Sequence, residues 1–214
     1  MNVGNVAQLQ ARPETRVWYR AIQPQHWASS LKTSQSRGIS SRFNIGAAAK
    51  PQYSVLYLAE NPVVALFEAQ AIFGSTISPP GIIAHPRRAF ITINVQVQLA
   101  RIVDLSDPTN QAVIDTTAQE LTGDWRGYHT RSQHTSVSRP LAPAPTQELG
   151  AALHAQRYLE GFLTVSAKLP TYQTLVVFPQ NLGKNSFISF EHFATGVKTR
   201  IDRDNLDGIA DAGS

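Results

Sequence analysis

Alternation of apolar and polar positions sets the outline of this chain. The longest alternating stretch, Arg88 to Leu99, places Phe90, Ile91, Ile93, Val95, Val97 and Leu99 so as to predict a long strand, which Ile102–Leu105 extends. Val17, Tyr19 and Ala21 alternate within Arg16–Ile22 and predict the first strand. Further strands are predicted over Tyr53–Leu58, Gly161–Ser166, Thr174–Phe178, Phe187–Phe190 and Val197–Ile201, with Arg42–Ile45 a short strand or extended turn. Helices are few. Asn61 caps one that starts at Pro62 and runs to about Phe73, with Gly74 as its stop. Asp107 caps a second, from Pro108 to about Thr117, and Thr146 a third, from Gln147 to about Tyr158. Pro24–Ser30 makes a helical turn. Lys32–Ser41, Ala47–Gln52, Gly74–Pro86 and Thr122–Pro145 read as loops, the last enlarged and irregular. Strands in the second half follow one another too closely for helical crossovers. The class is therefore α+β, with a mixed or largely antiparallel sheet in one domain over residues 16–201. Residues 1–15 read as a flexible leader and 202–214 as an acidic, frayed tail.

Composition narrows the chemistry. A chain of 214 residues suits one domain with a real core. Its net charge of +4 comes from a charged fraction of only 16%, without any Lys/Arg run, which argues poorly for nucleic acid. The absence of cysteine excludes disulfides, thiolate zinc sites and a cysteine nucleophile, and fits a cytoplasmic protein. The N-terminus shows no signal pattern, and no apolar run approaches the ~18 residues of a membrane span. Phosphate-loop, nucleophile-elbow and zinc-protease motifs are missing. Histidines 26, 85, 129, 134, 154 and 192 are scattered, and no metal is expected.

One residue is out of place. Glu68 is the single charge between Pro62 and Phe73, and Val64 and Ile72 flank it on its own stripe. A helix apolar nearly all round is buried, and a buried carboxylate needs a partner. Glu68 is thus a structural glutamate bonded to an Arg or a backbone N–H, or else an active-site carboxylate.

The order of short motifs along the chain resembles the RES-domain toxins of bacterial toxin–antitoxin modules. Trp18-Tyr19-Arg20, Ser41-Arg42-Phe43-Asn44, Val55-Leu56-Tyr57-Leu58-Ala59, then Pro62, Ala65 and Glu68, then Phe162–Ser166 and Leu175–Phe178 carry the resemblance, which spans roughly Arg16 to Ile201. The letters of the family name fall on Arg42, Glu68 and Ser166. Ser41 stands where the family usually has Gly, and Val165 where a Pro often precedes the Ser.

The resemblance implies an ADP-ribosyltransferase-like fold, with a central mixed or antiparallel split sheet flanked by short helices. It implies an enzyme that consumes NAD, a substrate rather than a cofactor, by hydrolysis or phosphorolysis, or that transfers ADP-ribose to a protein. It also implies a cognate antitoxin with a helix-turn-helix (Xre-like) domain, through which alone the toxin would meet nucleic acid. Cleaving the nicotinamide–ribose bond passes through an oxocarbenium-like state, so the site needs an anion beside the ribose and a grip on the pyrophosphate. Glu68 would supply the anion. Arg42 and Arg20 would hold phosphate oxygens, Tyr57 would stack, and Ser166 would position nicotinamide or ribose. Asn44 is a candidate NAD contact or the residue that fixes its own turn. Each has a bland counterpart: an Arg42–Glu68 ion pair, a core Tyr57, a solvated Arg20. The basic and aromatic loop with Trp125, Arg126, Tyr128, His129, Arg131, His134 and Arg139 reads as a solvated or partner-facing flap, with RNA contact as the competing reading. An RNA-directed toxin and a non-catalytic nucleotide-binding domain therefore stay open. So do the acceptor and the oligomeric state, a homodimer included.

Overall fold

The computed structural model describes residues 1–74, 81–130, 143–192 and 196–206. One strand dominates them. β6, Ile91–Asp104, is 14 residues long, and its inward positions Ile93, Val95, Val97 and Leu99 are buried as the alternation requires. Each such side chain contributes about 1.5–3 kcal/mol by leaving water. β2 (Val17–Ile22) runs antiparallel along the first half of β6, and β1 (Ala11–Glu14) along the second. The opposite edge of β6 takes β9 (Phe187–His192) at Gln96–Gln98 and β7 (Gly161–Val165) at Ile102–Asp104. Among these pairings the one with β7 is parallel. β3 (Leu56–Ala59) and β8 (Gln173–Val177) join β2 to β7, so the pairing β6-β2-β3-β8-β7 returns to β6 as a ring. β10 (Val197–Asp202) extends β9.

The ring has a weak seam. β2 and β3 share a single residue pair, Tyr19↔Ala59, and beyond it the two strands part. α1 (Pro62–Glu68) lies beside the seam, where Val64 and Ala65 pack on Ala59, Tyr19 and Ala21. One core fills the ring's inner face around Trp18, Leu58, Leu163 and Leu175. A second covers the outer face, where Phe43, Phe162, Val176 and Phe178 meet α5 (Pro145–Ala155). The remaining helices are α2 (Pro108–Val113), α3 (Ala118–Thr122) and α4 (Gly127–Thr130), and β4 (Ile72–Gly74) pairs with β5 (Ile82–Ala84) outside the main sheet. Among the described residues no helix is long and apolar enough to cross a membrane.

Several expectations are corrected. The leader is not loose: Val3–Gln8 form a 3-10 helix, β1 follows, and Val6 and Leu9 are buried. Val3, Val6 and Leu9 recur every third residue, the spacing that lines up one face of a 3-10 helix. The helix expected to reach Phe73 ends at Glu68, because Gln70 turns left-handed (φ 57°) and Ile72 enters β4. Thr146 is not the cap of α5; Ala144 is, its N–H bonded by the Gln147 carboxamide, with Pro145 at the first helical position. The connection Gly74–Pro86 contains β5, and Lys32–Ser41 contains a 3-10 turn over Ser34–Gly38. Within the enlarged loop, α4 is ordered; Arg131, His134, Arg139 and Pro140 lie outside the described residues, as does the tail from residue 207. Asp202, assigned to the tail, closes β10.

His154 is sealed into the outer core. Its ring stacks on Tyr53 at 4.3 Å, and burial, with Arg157 nearby, pushes it down to about 4 from 6.5. The native state therefore favours neutral imidazole. That contribution is complete above pH 6.5 and is lost as pH falls through about 4. Denaturant unfolding should show about 3 kcal/mol of acid destabilisation across that interval, and His154→Phe should flatten it.

Candidate functional site

A cavity of about 490 Å³ opens at the seam between β2 and β3, within the range of small-molecule sites. Glu68 reaches it because α1 stops there. The Asn61 side chain accepts from the Val64 N–H at 3.0 Å, and Pro62 follows the cap. At the other end, Gln70 N–H bonds Phe67 O and Ala71 N–H bonds Leu66 O, which closes the helix around a left-handed Gln70. Glu68 is thus the last residue of a seven-residue helix rather than the middle of a longer one.

Its carboxylate is held on one side. Ser166 Oγ donates to Glu68 Oε1 at 2.5 Å, and the Lys168 N–H approaches the same oxygen at 3.4 Å. Oε2 accepts no hydrogen bond among the described residues. The contrast with Glu160 is instructive. That carboxylate is fully buried and takes the N–H groups of Ala100, Arg101 and Gly183 and the Ser186 hydroxyl, so both its oxygens are committed to tying β6 to the approach to β9. Glu160 is a structural clamp; Glu68 is half-buried, faces the cavity and keeps an oxygen in reserve.

Ser166 itself is fully buried just past β7, does not line the cavity, and accepts from Leu169 N–H at 3.1 Å. It is therefore connected to the cavity through Glu68. Tyr57 presents its ring to the cavity, while its hydroxyl accepts from Phe43 N–H at 3.1 Å and bonds Ser41 Oγ at 2.9 Å. The serine at position 41 thus has a use: it helps fix the phenol. Burial pushes the Tyr57 hydroxyl up, so it stays protonated at neutral pH.

Arg42 sits in a turn bridged by Ser41 and Asn44. Its Nη1 donates to the carbonyls of Leu121, at 3.2 Å, and Gly123, at 2.5 Å, at the end of α3. Nε and Nη2 have no protein partner among the described residues. Burial lowers the Arg42 pKa, and the nearby Glu68 carboxylate is foremost among the charges opposing that shift. No Arg42–Glu68 ion pair forms. Arg20 reaches the cavity from β2. Burial brings its guanidinium down to about 10, which leaves it charged, and Nη1 is buried without a partner.

Asn44 lies elsewhere. Its side chain is fully buried and bonds Ser36 O, Tyr53 O and Gly46 N–H, and it does not line the cavity. It shapes the turn and does not face a ligand. Trp125 and Arg126, read from sequence as part of a flap, line the cavity instead, the guanidinium 5.4 Å from the indole centre. Lys168, Thr164 and Thr174 line it too and carried no sequence signal. Among the described residues no group of three His, Asp or Glu side chains could hold a metal ion.

Comparison with known proteins shows the family and the fold. The model of the RES domain family matches residues 17–189. A search of curated proteins returns no match. Among solved structures, the chain is similar to the MbcT toxin in the crystal structure of the M. tuberculosis MbcT–MbcA toxin–antitoxin complex, with a TM-score of 0.62 and 14% sequence identity over 97% of this chain and 95% of that one. At that identity the likeness is one of fold, and the fold is ADP-ribosyltransferase-like.

The turn bearing Arg42 is set by α5. Gln147 donates to Ser41 O and Asn44 O, and a Cβ on Gly150 would come within 2.1 Å of the Phe43 carbonyl, far inside contact distance. Gly150→Ala should therefore cost about 1–3 kcal/mol of stability, read as a lower denaturant midpoint, and should displace the turn. Amides of Ser41–Asn44 should lose exchange protection before those of β6.

Proposed function

The chain belongs to the RES domain family, and from that footing we propose that it is the toxin of a toxin–antitoxin pair and consumes NAD by breaking its nicotinamide–ribose bond. One observation carries the reading. Glu68 holds a carboxylate with a free oxygen in a cavity that also receives two guanidinium groups with uncommitted nitrogens. That is a site for a ligand with a developing positive charge at one point and fixed negative charges at another.

The C1′–N bond breaks with its electron pair passing to the ring nitrogen, and neutral nicotinamide leaves without needing a general acid. Positive charge grows on the ribose. Glu68 Oε2 accepts a ribose hydroxyl and stabilises that charge, while Ser166 fixes the carboxylate from behind. Arg42, through Nε and Nη2, and Arg20 hold the pyrophosphate. The Tyr57 ring forms a wall, and Trp125 and Arg126 border the opening. Water, phosphate or a protein side chain then captures the ribosyl cation. A cognate antitoxin, with a helix-turn-helix (Xre-like) domain, completes the pair, and the setting is cytoplasmic.

The test is product analysis by mass spectrometry on purified protein with NAD, with and without phosphate. Nicotinamide should appear together with ADP-ribose, its 1″-phosphate or a modified protein, each naming its acceptor. Glu68→Gln should lower kcat by roughly 10²–10³-fold. Ser166→Ala should lower kcat with little change in KM, whereas Arg42→Ala should raise KM. Absence of nicotinamide release, or undiminished turnover by Glu68→Gln, would overturn the proposal.

A further inference from the structure

Four buried side-chain polar atoms have no hydrogen-bond partner among the described residues: Arg20 Nη1, Thr146 Oγ1, Thr164 Oγ1 and Thr174 Oγ1. Residues Arg20, Thr164 and Thr174 all line the seam cavity. A buried polar group left unbonded weakens the protein that carries it, so each calls for an explanation.

Thr164 and Thr174 are a matched pair. They oppose each other directly across β7 and β8, and are 1% and 6% exposed. Their neighbours on the same face, Phe162 and Val176, also paired, are apolar and fully buried. Valine would fit that face equally well in shape and would leave nothing unbonded. Two adjacent hydroxyls without partners thus interrupt an apolar surface at the point where it lines the cavity.

Their place bears on which ligand group they meet. Thr164, on β7, lies two residues before Ser166, which follows directly on the strand and holds Glu68. A group bound by the pair therefore lies roughly 7 Å along the strand direction from the serine that holds Glu68. Both hydroxyls are neutral, and Arg20, whose Nη1 has no partner among the described residues, leaves β2 on the face shared with Trp18 and Ile22, not the face of Thr164 and Thr174, so a neutral group suits the pair better than a phosphate. A hydroxyl both donates and accepts, so two side by side match a neutral group that also does both.

Resting on the NAD-cleaving reading, we propose that Thr164 and Thr174 bind the carboxamide of the nicotinamide moiety. One hydroxyl donates to its carbonyl and the other accepts from its N–H. The pair then selects the leaving group, while Glu68 acts at the ribose and the arginines at the pyrophosphate.

The experiment uses the full chain. Nicotinamide release by the unsubstituted protein is measured first; its absence would sink the NAD-cleaving reading itself. Free nicotinamide should inhibit that reaction. The double variant Thr164→Val/Thr174→Val should be inhibited about tenfold less by nicotinamide, the loss expected for one or two hydrogen bonds, with ADP-ribose affinity changed less than about twofold. The unsubstituted protein should prefer NAD over the 3-acetylpyridine dinucleotide, which lacks the amide N–H, and the double variant should lose that preference. Without ligand, the double variant should melt higher, because it no longer buries unbonded hydroxyls. Thr164→Ser/Thr174→Ser, which keeps the hydroxyls, should retain nicotinamide inhibition. With NAD cleavage established, the proposal falls if nicotinamide does not inhibit the unsubstituted protein. It also falls if inhibition of the valine variant is undiminished, or if nicotinamide and ADP-ribose binding are lost together.

Discussion

The bond from Ser166 to Glu68 is the contact to which the rest of the site answers. The two residues stand 98 positions apart, and every nearby feature serves to bring them together. α1 must stop at Glu68, which it does by forcing Gln70 into a left-handed conformation that costs a non-glycine residue about 1–2 kcal/mol. β7 must end one residue before Ser166, and β8 must lie between it and β3. The closed pairing of β6, β2, β3, β8 and β7 meets these demands at once. The seam with one residue pair then leaves room for a ligand where the ring is least tightly joined.

Stability and chemistry divide the molecule. Glu160, His154 and the apolar faces of β6 are saturated with contacts and hold the frame. The cavity gathers the opposite kind of atom: a carboxylate oxygen without a donor, a buried guanidinium without an acceptor, two hydroxyls with neither. Such groups, where buried, weaken a folded protein, and three of the four buried unbonded side-chain atoms found among the described residues belong to residues that line this cavity. Arg42 belongs to both halves. One nitrogen secures the end of α3, and the others have no partner among the described residues.

The strands and the α+β class were legible because alternation is a local property, and β6 followed it over most of its length. Arg42, Tyr57 and Glu68 were found as one group because their motifs stand close in sequence, and the structure places all three on one cavity. What was missed depends on distant partners. The end of α1 rests on an unusual Gln70 backbone, for which no residue type gives a signal. The leader's order comes from Val6 and Leu9 finding a core built by residues far along the chain. Asn44 looked like a ligand contact because it follows Arg42, yet its amide is used up by three local backbone groups. Trp125 and Arg126 looked like a solvated loop because nothing local reveals that α3 delivers them to the cavity rim.

The long separation between Glu68 and Ser166 has a consequence during synthesis. A ribosome that has just released Glu68 must add about 98 more residues before Ser166 emerges, roughly 5–20 s of elongation. The ring stays open longer still, because β8, which joins β7 to β3, follows Ser166 in the chain. A nascent or prematurely terminated chain carries the arginines and the carboxylate but cannot assemble them. The order of the strands therefore makes this site one of the last parts of the molecule that can be assembled.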